Sequence, residues 1–198
     1  MINLWHNLFI FKLMILLYII GALALVLIVT IWVLYNGLVR AKNIVIEAFS
    51  GIDVQLKKRY ELIPNLIEAV KGYNAYEAEI LEKLVEKRND AATSNIKDTS
   101  INDRSITGAL KSFRINVEAY PDLKSNTQFL KLMDNLTTVE DELSMARRYY
   151  NGATRDFNTK IEIFPTVMVA KMMGFLPREF YEIEQDAERN VPELNLND

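Results

Sequence analysis

Few side chains in this chain are equipped for covalent chemistry. Its 198 residues contain no cysteine, which removes thiolate nucleophiles, thiolate metal sites and disulfides. A single histidine, His6, lies near the N-terminus, outside any candidate domain. Ser-His and Cys-His pairs and histidine-based zinc sites go with it. Serine, tyrosine and carboxylates remain, yet no glycine-rich phosphate loop, G-x-S-x-G, H-E-x-x-H or E-x-x-H pair organises them. Glu61 and Glu68 are neighbours in sequence, but without histidine their spacing makes no metal site. The residues therefore point away from an enzyme and call for no cofactor and no metal. The formal net charge of −3 gives no broad basic face for nucleic acid.

The polar residues that stand out lie instead beside apolar stripes. Asp53 and Arg59 flank one stripe, next to the basic run Lys57-Lys58-Arg59. Arg147, Arg148, Asn151, Arg155, Asp156 and Asn158 crowd another. Charges beside a packed seam are either solvated along its edge or paired across it. Asp53 is expected to pair with Arg147 or Arg148, with Asn151 or Asn158 joining the same layer. Such a layer sets helix register more than it adds stability; a ligand or partner site is the alternative.

These residues must be positioned by helices, because the chain shows no convincing strand alternation. Residues 1–12 are a flank. Residues 13–34, LMILLYIIGALALVLIVTIWVL, carry no charge and at helical rise span about 33 Å, enough to cross a bilayer. The run is longer than a signal-peptide core and lacks an A-x-A-like cleavage site, so it reads as an uncleaved anchor contacting lipid. Arg40 and Lys42 outnumber Lys12, which favours a cytoplasmic C-terminal domain by the positive-inside rule.

Residues 35–184 read as an antiparallel helical bundle, and 185–198 as a disordered tail. Val45, Phe49, Ile52, Leu56, Tyr60 and Ile63 mark one helix face, continuous with the anchor. Pro64 favours a tight connection with a second helix starting there, since proline suits a first turn; a kinked continuous helix is the rival. That second helix turns Leu66, Val70, Tyr73, Ile80 and Leu84 inward, with Glu77–Lys87 forming a charged outer face. TSNIKDTSINDRS, residues 93–105, reads as a loop. A third helix runs from about Arg104 to Tyr120 and stops before Pro121. The last helix opens on a Ser125-x-x-Gln128 capping box. It repeats Phe129, Leu136, Leu143, Tyr150, Phe157 and Phe164 every seven residues, the spacing of coiled-coil-like packing, and stops at Pro165. A short apolar helix, TVMVAKMM, closes at Gly174. The fold class is all-α: a transmembrane helix, then about four long helices and a short C-terminal one.

The segments "YNGLVRAKNIVIEAFSGIDVQLKKRYELIPNLIEAVKGY", "EAYPDLKSN", "ARRYYNGATRDFNTKIEIFP" and "AKMMGF" resemble the signature of the LemA family of bacterial membrane proteins. Together they cover most of residues 35–181 and include Pro64, Asn65, Arg147, Arg148, Tyr150, Asn151, Asn158, Phe164, Pro165 and Gly174. The resemblance implies an N-terminal membrane helix and a helical bundle, and no defined reaction. Thr154 and Met173 depart from the family's usual residues.

Two functional expectations follow. The first is a single-pass scaffold in the cell membrane, presenting its bundle to another membrane or envelope protein, with self-association open. Within it the methionine-rich segment Phe164–Phe175 is either a docking patch or a plug for the bundle's end. The second is a sensor, which a pocket lined by Tyr60, Tyr73 and Tyr150 would favour.

Overall fold

The computed structural model describes residues 2–71, 85–86, 96–117, 123 and 126–181. Among the described residues there are four helices and no strand: α1 (Ile2–Lys71), α2 (Ile96–Val117), α3 (Thr127–Glu162) and α4 (Thr166–Met172). The chain divides into two compact units. Met1–Ile44 with Asp156–Arg178 make the first, and Val45–Arg155 with Glu179–Asp198 the second.

In the first unit, α1 supplies the described stretch that is long and apolar enough to cross a membrane, and its side chains from Phe11 to Thr30 are exposed. Burial begins further along, at Leu38 and Ala41, and takes in Phe157, Ile161, Val169 and Ala170. Phe175 packs edge-on against Tyr35 and tilts against Phe157, with ring centroids 6.1 and 6.4 Å apart. The Phe164–Pro165 peptide is cis. α4 ends as expected at Gly174, whose φ of 70° is the left-handed conformation glycine adopts without a Cβ clash. There Phe175 N–H donates to the Ala170 carbonyl at 3.0 Å and Gly174 N–H to that of Lys171 at 3.4 Å, the two bonds of a Schellman cap. Phe164, expected to continue the heptad stripe, is 79% exposed. α3 stops at Glu162, so Phe164 has no helical turn to aim it inward.

In the second unit three helices share a core. Ile63, Leu66, Ile67 and Val70 of α1, Ile106, Leu110 and Phe113 of α2, and Phe129 and Leu136 of α3 form one buried cluster with Leu123. On α3 the buried positions Phe129, Leu136, Leu143 and Tyr150 follow the seven-residue spacing read from the sequence. Against α3, α1 runs antiparallel in one register: Phe49 meets Tyr150, Lys58 meets Glu142 and Arg59 meets Glu140.

Four expectations need correction. No connection forms at Pro64; α1 continues through it to Lys71, and Leu66 and Val70 are buried on α1 itself. An interior proline costs about 3 kcal/mol through its lost N–H and ring clash. Burial of Ile63, Leu66, Ile67 and Val70 around it offsets that cost. The supposed loop is helical from Ile96 onward. α3 is capped by Asn126 rather than Ser125: the Asn126 Oδ1 accepts from the N–H groups of Gln128 and Phe129 at 3.0 and 3.2 Å. Arg59 does not flank the α1 stripe but lies within it, fully buried between Leu56 and Ile63. Tyr73, Ile80, Leu84, the helix stop at Pro121 and the tail 185–198 lie outside the described residues.

The continuity of α1 gives a first test. Pro64→Ala restores the missing N–H without changing a buried contact. Urea unfolding in detergent should show a gain of about 1–3 kcal/mol. No gain, or a loss, would mean that the chain breaks at Pro64.

Candidate functional site

The most unusual feature of the second unit is ionic. Arg59 occupies a seam position where the neighbouring stripe residues are Ile52, Leu56, Ile63 and Leu66. It is 0% exposed and faces Asp103 of α2, which is 2% exposed. Arg59 Nη2 donates to Asp103 Oδ1 at 2.5 Å. Its Nη1 donates to Glu140 Oε1 on α3 and to the Thr107 hydroxyl on α2, both at 3.1 Å. Asp103 Oδ2 accepts from Arg147 of α3 at 2.5 Å and from the Tyr181 hydroxyl at 2.6 Å. Both arginines also lie over aromatic rings: Arg59 is 5.8 Å from the Tyr60 centroid and Arg147 5.8 Å from that of Tyr181.

Two cations and two carboxylates meet here, so the cluster is neutral. It joins α1, α2, α3 and Tyr181, which lies outside the helices. Removing ions from water costs several kcal/mol each, recovered only where geometry is good and the remaining polar atoms are met. Asp103 meets that condition, with both its oxygens engaged. The Nε atoms of Arg59 and Arg147 have no hydrogen-bond partner among the described residues. Burial pulls the Arg59 pKa down, but Asp103 and Glu140 outweigh it and the net shift is upward. The guanidinium stays charged. Burial and the Asp103 carboxylate both raise the Tyr181 pKa, so its phenol is held neutral as a donor.

Two residues upstream of the cluster on the same chain segment, Glu179 is also fastened. The Tyr150 hydroxyl donates to the Glu179 carbonyl at 2.8 Å. Asn151 reads both backbone groups of Tyr181: its Nδ2 donates to the carbonyl at 3.0 Å and its Oδ1 accepts the N–H at 2.8 Å. In the first unit Asn158 does the same for Arg178, at 2.9 and 2.8 Å. A side-chain amide used in this way meets both the N–H and the carbonyl of a residue outside the helices and fastens it to α3.

The sequence-derived candidates thus separate. Arg59 and Arg147 enter the cluster; Tyr150 and Asn151 hold the segment that brings Tyr181 to it; Asn158 holds Arg178. Asp53 and Arg148 are exposed, and the carboxylate on Arg147 is Asp103 rather than Asp53. Partial burial raises the Asp53 pKa. Pro64 and Asn65 are exposed on α1, and Asn65 lines an open groove of about 440 Å³ with Lys58, Glu61, Asn135, Thr138 and Glu142. Phe164 and Pro165 are exposed. Tyr150 packs edge-on against Phe49 and Tyr181, with centroids at 5.8 and 6.4 Å. Tyr73 lies outside the described residues.

Sequence reasoning missed Asp103, Thr107, Glu140 and Tyr181. One signal was present: stepping back from Phe113 and Leu110 by threes and fours lands on Ile106, Asp103 and Thr99, all buried. The inward face of α2 is polar at its start because it faces Arg59, so an apolar stripe could not reveal it.

Tyr181 gives a pH test. Its folded pKa lies above the ordinary value near 10, so folding retains the proton. The stability it adds is fully present below about pH 10 and is lost as pH rises towards the folded value. Unfolding measured between pH 8 and 12 should therefore fall off more steeply in the native chain than in Tyr181→Phe. Equal slopes would place Tyr181 outside the cluster.

A family model described as the LemA family matches residues 48–196. A Protein LemA from Metamycoplasma hominis is 31% identical over 143 residues, covering 70% of this chain and 64% of that relative. Magnetosome protein MamQ 2 of Paramagnetospirillum magneticum is 23% identical over 182 residues, 78% of this chain and 67% of its own length. Magnetosome protein MamQ of Magnetospirillum gryphiswaldense is 23% identical over 181 residues, covering 78% and 66%. The matched stretch thus spans about two thirds of these relatives.

Proposed function

The chain belongs to the LemA family, and from that premise we propose that it is a membrane-anchored, non-catalytic helical bundle that presents a surface to another membrane or envelope protein. The observation that carries this reading is α1 itself. One helix, Ile2–Lys71, contains both the apolar run and the stripe on which the second unit packs. The apolar run is long enough to cross a bilayer, and the stripe that follows it in sequence is buried in the core of the second unit. The buried cluster has the form of a structural key: its charged groups are engaged with one another, and Arg59 and Asp103 are closed to solvent.

For the docking surface we favour the groove beside Asn65. Its walls carry both charge signs, and its ion pair Lys58–Glu142, 3.1 Å long, is about half exposed. A pair so exposed contributes about 0–1 kcal/mol, so a partner can replace it at little cost. The excess of Arg40 and Lys42 over Lys12 favours a cytoplasmic bundle in this reading.

Alkaline carbonate extraction of membranes tests the anchor. The full chain should stay with the lipid pellet, and a chain lacking residues 1–34 should move to the supernatant. Release of the full chain would overturn the proposal. Protease cleavage of the C-terminus from outside intact cells would reverse the orientation. A photo-crosslinker at Asn65 should yield a discrete adduct that one at exposed Arg148 does not; matching patterns would remove the groove from the account.

A further inference from the structure

We propose that α4 and its flanking turns are a second membrane element, dipping into the leaflet beside α1, and that the groove between α4 and α1 holds a phospholipid acyl chain. This rests on the anchor reading above. The groove, of about 600 Å³, lies within the first unit. Leu23, Leu27 and Leu34 wall one side, and Pro165, Met168 and Met172 the other. From Leu23 to Leu34 a helix rises about 16 Å, close to the thickness of one hydrocarbon leaflet. A groove with that wall is at acyl-chain depth once α1 spans the bilayer.

Its chemistry excludes water. Thr30 is the lining residue with a polar side chain, and its hydroxyl is spent on the Val26 carbonyl at 2.8 Å. A void needs two or more polar partners to hold a water. Beyond the groove the same element exposes further apolar side chains: Phe164 and Leu176 are 79% and 75% exposed. Met168 and Met172 share the groove with exposed apolar residues of α1, so one medium serves both.

The backbone is fitted to lipid as well, where an unmet N–H is costly. Val167 N–H donates to the Ile163 carbonyl at 2.8 Å and Met168 N–H to that of Pro165 at 3.2 Å. The Schellman cap meets the other end. Pro165 has no N–H to satisfy. Around the element the charge is basic: Arg40, Lys42, Lys160, Lys171 and Arg178 stand against Asp156 and Glu162 in residues 35–44 and 156–178. Such an excess of basic charge suits the phosphate headgroups above an inserted segment.

The absence of cysteine makes single-cysteine labelling direct. Nitroxides at Met168→Cys, Met172→Cys, Leu27→Cys and Asp141→Cys would be read by power saturation in the full chain, reconstituted in phosphatidylcholine–phosphatidylglycerol vesicles. Labels at 168 and 172 should relax with oxygen and lose relaxation by the aqueous nickel reagent, as at 27 and unlike 141. Nickel access at 168 and 172 with none at 27 would overturn this inference and leave the anchor standing. Nickel access at 27 would overturn both. Spin–spin broadening between dilute copies at 168 would put a second chain in the groove and likewise overturn the lipid assignment.

Discussion

Asp103→Ala is expected to destabilise the bundle by about 3–5 kcal/mol, the range for removing one member of a buried ionic group. The change strands two guanidiniums at once. Arg59, wholly buried, keeps only Glu140 as a carboxylate partner, and Glu140 is a quarter exposed. Arg147 loses the carboxylate oxygen it shares with the Tyr181 hydroxyl. Urea unfolding of the full chain in detergent, followed by far-UV circular dichroism, reads the effect. The companion experiment replaces Asp103 and both its arginines together, Arg59→Met, Asp103→Leu and Arg147→Met, and leaves Glu140, a quarter exposed, to solvent. Apolar substitutes of similar size avoid the desolvation cost, so the triple variant should recover most of what the single variant lost. If Asp103→Ala costs under about 1 kcal/mol, the cluster is not holding the helices together.

Tyr150→Ala should cost nearly as much, about 3–5 kcal/mol, the range for an aromatic side chain removed from a core. Tyr150 is fully buried, packs against Phe49 and Tyr181, and fastens the Glu179 carbonyl. Tyr150→Phe keeps the ring and drops only the hydrogen bond, so about 1 kcal/mol is expected. The gap between the two variants separates packing from fastening. Equal losses would show that the hydroxyl, and not the ring, carries the position.

What could be read from the chain follows from how each element signals itself. The apolar run at 13–34 and the seven-residue spacing of Phe129, Leu136, Leu143, Tyr150 and Phe157 are strong periodic signals, and the structure buries or exposes them accordingly. Pro64 misled because local preference places proline at a first turn, whereas the packing of Ile63, Leu66 and Ile67 keeps α1 helical through it. Residues 96–105 misled for the opposite reason. Their polarity suggested a loop, yet Thr99, Ser100 and Asp103 are buried on α2, and Asp103 is polar because it faces an arginine. Arg59 and Arg147 were legible as charges beside a seam; their shared carboxylate was not, since charge pairing across three helices leaves no spacing in any one of them. Asn151 and Asn158 were legible as unusual, but their task of holding Tyr181 and Arg178 depends on a chain return some 20–30 residues away.

The claim on which the account turns is that Asp103 keys α2 to α3 through Arg147. A double-mutant cycle on Asp103→Ala and Arg147→Met, in the full chain in detergent, measures it directly. The account predicts a coupling of about 1–3 kcal/mol, with the double variant much less damaged than the two single losses combined. Losses that add to within about 0.5 kcal/mol would contradict it, and Asp103 would then not key α2 to α3 through Arg147.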